Sequence, residues 1–384
     1  MSNLADLYNV AEFRRAAQRR LPKWLFEYID GATEDEIAVR NNRAAIERIR
    51  ILPRAPLDVS NRDLSTTLFG AKINMPMLVA PTGGAGLMWF EAELGIARAA
   101  KAAGIPYCMA TGSQVPFERV AKEVGGRLWF QLYVWPAREI TYNLVRRVAD
   151  AGAEALVVTV DTPVSPNREY NARNGFGVPL RLTAANLTDM TLHPRWLLGT
   201  LLKYLIADGL PKMRNHPPEY NHHSTRPAIA PTLGLSDTVD REEIKRLRDL
   251  FRGKLLVKGI MHPQDARDMV ALGADGIVVS NHGGRNLDAA MATFDALPGV
   301  VAAVGGKTTI IVDSGIRRGL DMIKAIALGA TVVQTGRATL WGASVGGEAG
   351  VSRVLDLLRH ELTTGMANTG VRSIGEISSE LLVG

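Results

Sequence analysis

The run Ser280-Asn281-His282-Gly283-Gly284-Arg285 sets an imidazole and a guanidinium three residues apart, flanked by glycines. An imidazole changes charge near neutral pH and can act as a base. A guanidinium can hold a carboxylate in a two-pronged grip. Asp161 is a candidate to orient that imidazole and to stabilise its protonated form. Two further turns, Asp313-Ser314-Gly315 followed by Arg317, and Gly336-Arg337, combine glycine with arginine. Backbone N–H groups and fixed charge meet there in the manner that suits a phosphate. One tight-turn glycine would say little, but two such turns after successive strands point to an anion site. His193, His216, His222 and His223 have no comparable company and read as ordinary histidines.

These residues need a frame that brings them to one place. Short apolar runs recur at Met77–Ala80, Pro106–Ala110, Leu128–Tyr133, Ala155–Val160, Leu255–Gly259, Gly276–Ser280, Thr309–Asp313 and Thr331–Thr335. Helical patterns lie between them, at Glu91–Ala103, Arg138–Ala151, Arg241–Arg252, Pro263–Leu272 and Arg318–Leu328. Several end in a glycine stop, at Gly104, Gly152, Gly273 and Gly329, suited to the left-handed terminal conformation. Eight strand–helix units with continuously apolar strands predict a parallel sheet closed into a (β/α)₈ TIM barrel, spanning about 76–360 of one domain that runs through 1–384. An open doubly wound sheet would favour a Gly-x-Gly-x-x-Gly turn after the first strand, and Gly83-Gly84-Ala85-Gly86 lacks that spacing. Chemistry in such barrels gathers at the C-terminal strand ends. Those ends here carry Pro81-Thr82-Gly83, Gln131 with Tyr133, Thr159 with Asp161, Lys258, Ser280 to Arg285, Asp313 and Gly336-Arg337. Residues 1 to about 75 form an N-terminal extension with a helical start near Leu21–Gly31, and a long insertion occupies about 164–238 after the fourth strand.

The 384 residues are 46% hydrophobic and 22% charged, as in ordinary soluble domains. Lysines and arginines outnumber acidic residues by 45 to 39, a net +6, but no zinc-finger spacing, RNP-type aromatic signature or basic run accompanies them, so nucleic acid is not an expected partner. No metal site is expected. Cys108 stands alone in an apolar run and reads as a core residue, with no disulfide open to it. The N-terminus lacks the pattern of a signal peptide and no stretch has the length of a spanning helix, so a cytoplasmic location is expected.

The constellation resembles the FMN-dependent 2-hydroxy acid dehydrogenase and oxidase family, from Leu21-Pro22-Lys23 to the C-terminal segment. Ser280 to Arg285 followed by Leu287-Asp288 carries the resemblance, with Lys258-Gly259, Asp313 to Gly319 and Gly336-Arg337 in the expected order. The pattern stands nearest the mandelate and flavin lactate dehydrogenases of that family. The resemblance implies an FMN cofactor and oxidation of an (S)-2-hydroxy acid to the 2-oxo acid. It also implies that His282, paired with Asp161, takes a substrate proton, and that Arg285, Arg168 and Tyr28 hold the substrate carboxylate. Tyr133 would bond the substrate oxygen, and Lys258 would lie beside flavin N1. Pro81, Thr82, Gly83, Gln131, Thr159 and Ser280 would line the flavin, Asp313 the ribityl chain, and Gly315, Arg317, Gly336 and Arg337 the phosphate. A homo-oligomer, commonly a tetramer in the family, is implied as well.

Departures from the family pattern carry their own expectations. Ala110 stands where many members have serine, which removes one hydrogen bond. Gly83, Gly84 and Gly112 occupy positions that are larger in other members, Gly112 replacing a tryptophan. The open space favours a sizeable, aromatic side chain on the substrate, and Gly83 favours an acceptor other than oxygen, such as a quinone. Asn286 stands where glutamine is usual. The apolar stretch Leu192 to Met213, with Arg195, Lys203, Lys212 and Arg214, suits an interfacial helix on an anionic bilayer. That would place the protein peripherally on the cytoplasmic face of the inner membrane; packing on the barrel or on another subunit is the alternative. A peroxide-forming oxidase would share every one of these residues. A barrel that merely binds a phosphorylated ligand would have no need of His282, Arg285, Asp161 and Lys258 together.

Overall fold

The computed structural model describes residues 3–177, 183–217 and 233–383. Eight parallel strands close into a barrel. They are β1 (Met77–Val79), β2 (Tyr107–Ala110), β3 (Leu128–Leu132), β4 (Ala155–Thr159), β5 (Lys254–Lys258), β6 (Gly276–Val279), β7 (Thr309–Val312) and β8 (Val332–Thr335). Closure runs through β8 and β1, where Val333 stands opposite Met77 and Thr335 opposite Val79. β-Branched and aliphatic residues dominate the strands because both faces are covered, the outer by helices and the inner by the barrel's own core.

The inner core is small and specific. Leu78, Cys108, Trp129, Val157, Leu256, Val278, Ile311 and Val332 fill the barrel axis. The hairpin Thr66–Leu68/Ala71–Ile73 adds Leu68 and Ile73 to that cluster and so plugs its floor. Cys108 is fully buried there, and burial pushes its thiol well up from the ordinary range. Around the strands, helices bury a larger apolar layer. The glycines at 104, 152, 273 and 329 all adopt positive φ, as their place after a helix requires.

The N-terminal extension holds more helix than the sequence pattern indicated. It comprises α1 (Val10–Arg20), α2 (Lys23–Asp30) and α3 (Ile37–Arg48). Asn9 caps α1 by accepting from the Glu12 N–H. A long helical stretch, Arg337–Thr369, breaks at Gly346 and Gly347 and packs on α1 and on α4 (Ala92–Ala103).

Among its described residues the insertion after β4 is helical at Glu169–Asn174, Ala184–Leu192 and 194–207. The segment 194–207 forms one continuous helical rod with a wider turn at Leu197–Leu201. Trp196, Thr200 and Tyr204, four residues apart, are its buried stripe. Leu198, Leu202, Leu205 and Ile206 face outward, with Ile206 78% exposed. His222 and His223 lie outside the described residues.

Candidate active site

Alternation along a strand means that the residue two beyond an axial core residue also faces the axis. From the inner core this step reaches Ala80, Ala110, Gln131, Thr159, Lys258, Ser280, Asp313 and Gln334 at the C-terminal ends. All of these except Ser280 line a cavity of about 730 Å³. Tyr28, Pro81, Thr82, Gly83, Tyr133, Arg168, His282, Arg285, Gly315, Arg317, Gly336 and Arg337 line it as well. Asp161 and Ser280 stand one layer behind, against residues that do.

His282 sits at φ 58°, a left-handed conformation uncommon outside glycine, so the turn after β6 presents its ring to the cavity. Its Nδ1 lies 3.0 and 3.2 Å from the two carboxylate oxygens of Asp161. That pairing places the Nδ1 proton toward Asp161 and leaves the Nε2 lone pair free, 3.4 Å from the Tyr133 hydroxyl. Burial holds the His282 imidazole below its ordinary range, against the pull of Asp161. Asp161 itself is opposed by burial, but His282 and Lys258 outweigh that and hold it at about 2. The pair is therefore an imidazole base backed by a permanent carboxylate. Gly259 has φ 103° where a Cβ would stand 2.5 Å from the Asp161 Cβ, so only glycine lets β5 pass this close.

Lys258 is 4% exposed and donates to the Ser280 hydroxyl at 2.9 Å. Its ammonium is 3.7 Å from Asp313. Burial works against the charge, yet Asp313 and Asp161 prevail and raise its pKa. A permanent cation is thus held in the cavity wall. The Gln131 amide donates to the Thr159 hydroxyl at 3.0 Å, and Gln334 donates to Asp313 at 2.8 Å. Ala110 offers no hydroxyl to this ring.

Arg285 donates to the Gly31 carbonyl at 2.7 Å and lies 5.5 Å from the centre of the Tyr28 ring. Arg168, at the far end of the loop after β4, donates to the Arg285 carbonyl at 3.2 Å. Burial and the neighbouring Arg285 lower its pKa. Two guanidiniums converging with no carboxylate between them among the described residues can receive one. The Tyr28 hydroxyl donates to the Gly83 carbonyl at 3.2 Å. Gly83 and Gly112 face each other: a Cβ built on Gly112 would lie 3.8 Å from Gly83 Cα.

At the opposite end, Arg317 lies 4.6 Å from the Trp341 ring centre with no hydrogen-bond acceptor for its guanidinium among the described residues. Burial, with Arg43 and Arg14 nearby, lowers it to about 10. Arg337 donates to the carbonyls of Gly283 (2.9 Å), Gly31 (3.0 Å) and Ile29 (3.3 Å), tying α2 to the turn after β6. Burial, Arg285 and Arg317 push Arg337 down to about 9. Two buried guanidiniums, neither hydrogen-bonded to a carboxylate among the described residues, thus stand beside the start of the helix at Arg337, a setting that suits a phosphate. At Gly336 a Cβ would stand 3.1 Å from the Thr82 methyl, so the close packing of the turns after β1 and β8 favours glycine there. A phosphate receptor, a middle ring of hydroxyl and amide groups and a buried lysine in one cavity match the demands of FMN.

Several contributors escaped the sequence reading. Asn286 donates to the Asp161 carbonyl at 2.8 Å and to the Thr162 hydroxyl at 2.7 Å, bracing the carboxylate behind His282. Thr111 donates to the Gln131 carbonyl at 2.7 Å and receives the Tyr133 N–H. Ser314, at φ 73°, donates to Asp313 and receives the Gly283 N–H. Gln334 lies two residues past an axial core valine, and that period was the available signal.

Residues 17–384 match the family described as FMN-dependent dehydrogenase. The chain is 38% identical over 377 residues to (S)-mandelate dehydrogenase of Pseudomonas putida, covering 98% of this chain and 94% of that protein. It is 40% identical over 379 residues to L-lactate dehydrogenase of Ectopseudomonas mendocina, covering 97% of each. Among solved structures it is similar to the monotopic membrane protein (S)-mandelate dehydrogenase, with a TM-score of 0.93 at 38% identity, covering 98% of this chain and 99% of that one. It is also similar to a mandelate oxidase mutant with (S)-mandelic acid, with a TM-score of 0.81 at 35% identity over 98% of each chain.

Proposed function

This chain belongs to the FMN-dependent dehydrogenase family, and from that premise we propose its substrate, its electron acceptor and the roles of its side chains. It is an FMN enzyme that oxidises a 2-hydroxy acid to the 2-oxo acid. FMN, when bound, supplies the two-electron acceptor for that oxidation. His282 accepts a substrate proton at Nε2 while its Nδ1–H stays on Asp161, whose charge stabilises the imidazolium so formed. Arg285 and Arg168 grip the carboxylate, with Tyr28 beside them, and Tyr133 bonds the substrate oxygen within reach of the same Nε2. Lys258 keeps a positive charge next to the flavin ring. Gln131, Thr159 and Asp313, together with Pro81, Thr82 and Gly83, take the ring and ribityl chain, and Gly315, Arg317, Gly336 and Arg337 the phosphate; Ser280, expected among the flavin contacts, stands behind the cavity wall and holds Lys258 and the His282 N–H instead.

The observation that carries the substrate reading is the facing pair Gly83 and Gly112, which put no side chain into the pocket wall beside the carboxylate grip, where the Met213 sulfur would stand 3.7 Å from a Cβ at Gly112. We assign a mandelate-like acid, with an aromatic ring filling that gap. Gly112→Trp should therefore lower the preference for (S)-mandelate over L-lactate by about tenfold or more, since an overfilled pocket rejects the larger acid. Steady-state kcat/KM for both acids measures it. An unchanged ratio would refute the aromatic assignment.

The acceptor is assigned as a quinone or similar carrier met at a membrane surface. The outward stripe Leu198, Leu202, Leu205 and Ile206, beside exposed Arg195 and Lys203, supports it. No helix among the described residues is long and apolar enough to cross a membrane. The protein is expected to float with anionic vesicles at low salt. The combined change Leu202→Ser, Leu205→Ser and Ile206→Ser should return it to the soluble fraction. Equal flotation of both would remove the membrane reading. Rapid reoxidation by oxygen in place of a soluble quinone would favour the peroxide-forming alternative. A homotetramer belongs with these proposals.

A further inference from the structure

One buried carboxyl has no part in the chemistry described above. Glu93, in the first turn of α4, is fully buried against the segments that follow β1 and β2. Its Oε1 accepts the Gln114 N–H at 2.9 Å and the Gly86 N–H at 3.3 Å. Its Oε2 has no partner among the described residues. Burial raises the Glu93 pKa, and the donors at Gln114 and Gly86 work against that. An acid so placed is costly unless it performs something a neutral apolar residue could not.

The two N–H groups belong to the turns that form the wall of the pocket. Gly86 lies in the first turn of the short helix Ala85–Met88, which follows the Gly83-Gly84 turn after β1, and Gln114 follows Gly112 after β2. The Gln114 side chain adds a second acceptor for the Gly86 N–H, at 3.1 Å, and donates back to the Gly112 carbonyl at 3.3 Å. The Gly84 N–H reaches the Gly112 carbonyl at 2.9 Å. Glycine-rich turns are the least restrained backbone in a chain, because they lack the Cβ that narrows φ and ψ. Something must hold these two at a fixed separation, and one oxygen of Glu93 touches both.

We propose that Glu93 is a positioning residue that sets the width of the substrate pocket by stapling the Gly83–Gly86 turn to the Gly112–Gln114 turn. The inference rests on the reading of this cavity as the place where the 2-hydroxy acid binds. Glu93 touches neither substrate nor cofactor; it acts through the glycine wall, so its loss is felt most by the acid that fills the gap.

The test uses the FMN-loaded enzyme with (S)-mandelate and L-lactate. Glu93→Met keeps the bulk and removes the acceptor, leaving the Gln114 N–H unpaired and the Gly86 N–H with the Gln114 side chain alone. It should cut the mandelate-to-lactate preference by about tenfold, chiefly through KM for mandelate. Glu93→Gln retains an acceptor oxygen and should restore the parental preference. Hydrogen exchange at the Gly86 and Gln114 amides gives a readout independent of substrate: about tenfold faster in Glu93→Met and close to the parent in Glu93→Gln. Unchanged exchange in Glu93→Met would overturn the proposal, as would an equal loss on both acids that Glu93→Gln does not repair. Should Glu93→Met fail to fold, Gln114→Ala removes the other acceptor of the Gly86 N–H and must shift preference and exchange in the same direction; no shift overturns the staple. A parent enzyme reduced by neither acid would sink the substrate reading alone, with the exchange data still deciding for or against Glu93.

Discussion

Replacing His282 by alanine is expected to leave FMN bound and to slow its reduction by substrate by about 10³-fold, the scale on which a positioned base contributes. The cofactor contacts named above do not involve the imidazole, so the variant should stay yellow. Stopped-flow absorbance under anaerobic conditions measures both, and a variant that bleached near the parental rate would remove His282 from the proposed role. The pH dependence carries a sign that checks the same assignment. The neutral ring is the proton acceptor, and burial holds the His282 pKa below the ordinary 6.5 despite Asp161. Activity should therefore be full above that value and be lost as pH falls through the shifted pKa. The acid limb of kcat/KM belongs below pH 6.5, and a limb above it would mean that Asp161 dominates and that the balance drawn here is reversed.

Lys258→Met is expected to produce the second large loss, about 10²- to 10³-fold in the rate of flavin reduction, the scale found when a preorganised charge is deleted from a water-excluded site. The ammonium, 3.7 Å from Asp313 and donating to Ser280, is a buried cation whose charge is supported by Asp313 and Asp161. Without it Asp313 loses its cation and Asp161 keeps only His282, and negative charge added to the flavin on reduction meets repulsion where it met attraction. The bound flavin's midpoint potential should move to more negative values. Removing one partner of a buried pair also destabilises by about 3–5 kcal/mol, so a melting curve with FMN present must accompany the kinetics. A folded variant with parental potential and rate would contradict the role given to Lys258.

Much of this architecture is legible from local pattern. Each of the eight apolar runs became a barrel strand with ends within one or two residues, because strands covered on both faces leave an uninterrupted signal. The polar groups at their C-terminal ends followed, since two-residue alternation carries Trp129 to Gln131, Leu256 to Lys258 and Ile311 to Asp313. What stayed hidden were contacts between residues far apart in the chain. In α3, Asn42 exchanges two amide hydrogen bonds with Asn281, 239 residues away, and fixes the turn that bears His282. Arg43 donates to the Gly315 carbonyl and to Asp321, which in turn accepts the Arg317 N–H. Asp288 receives the N–H groups of Asp35 and Ala38 at the start of α3. The extension before β1, read from sequence as little more than one helix, thus clamps two of the turns that build the site. Asn286, passed over as a minor replacement, braces Asp161 for the same reason: its partners lie some 125 residues earlier. The Arg337 side chain was expected to serve phosphate alone, and its three carbonyl contacts show it also joins α2 to the β6 turn.

We propose that a 2-hydroxy acid delivers its electrons to FMN in this cavity. Anaerobic addition of (S)-mandelate, then of L-lactate, to the purified yellow protein tests it most directly. Bleaching of the flavin band, faster with mandelate than with lactate and with the 2-oxo acid formed in equal amount to the flavin reduced, is the expected result. A flavin that stays oxidised with both acids, in protein shown to be folded and loaded with FMN, would contradict it.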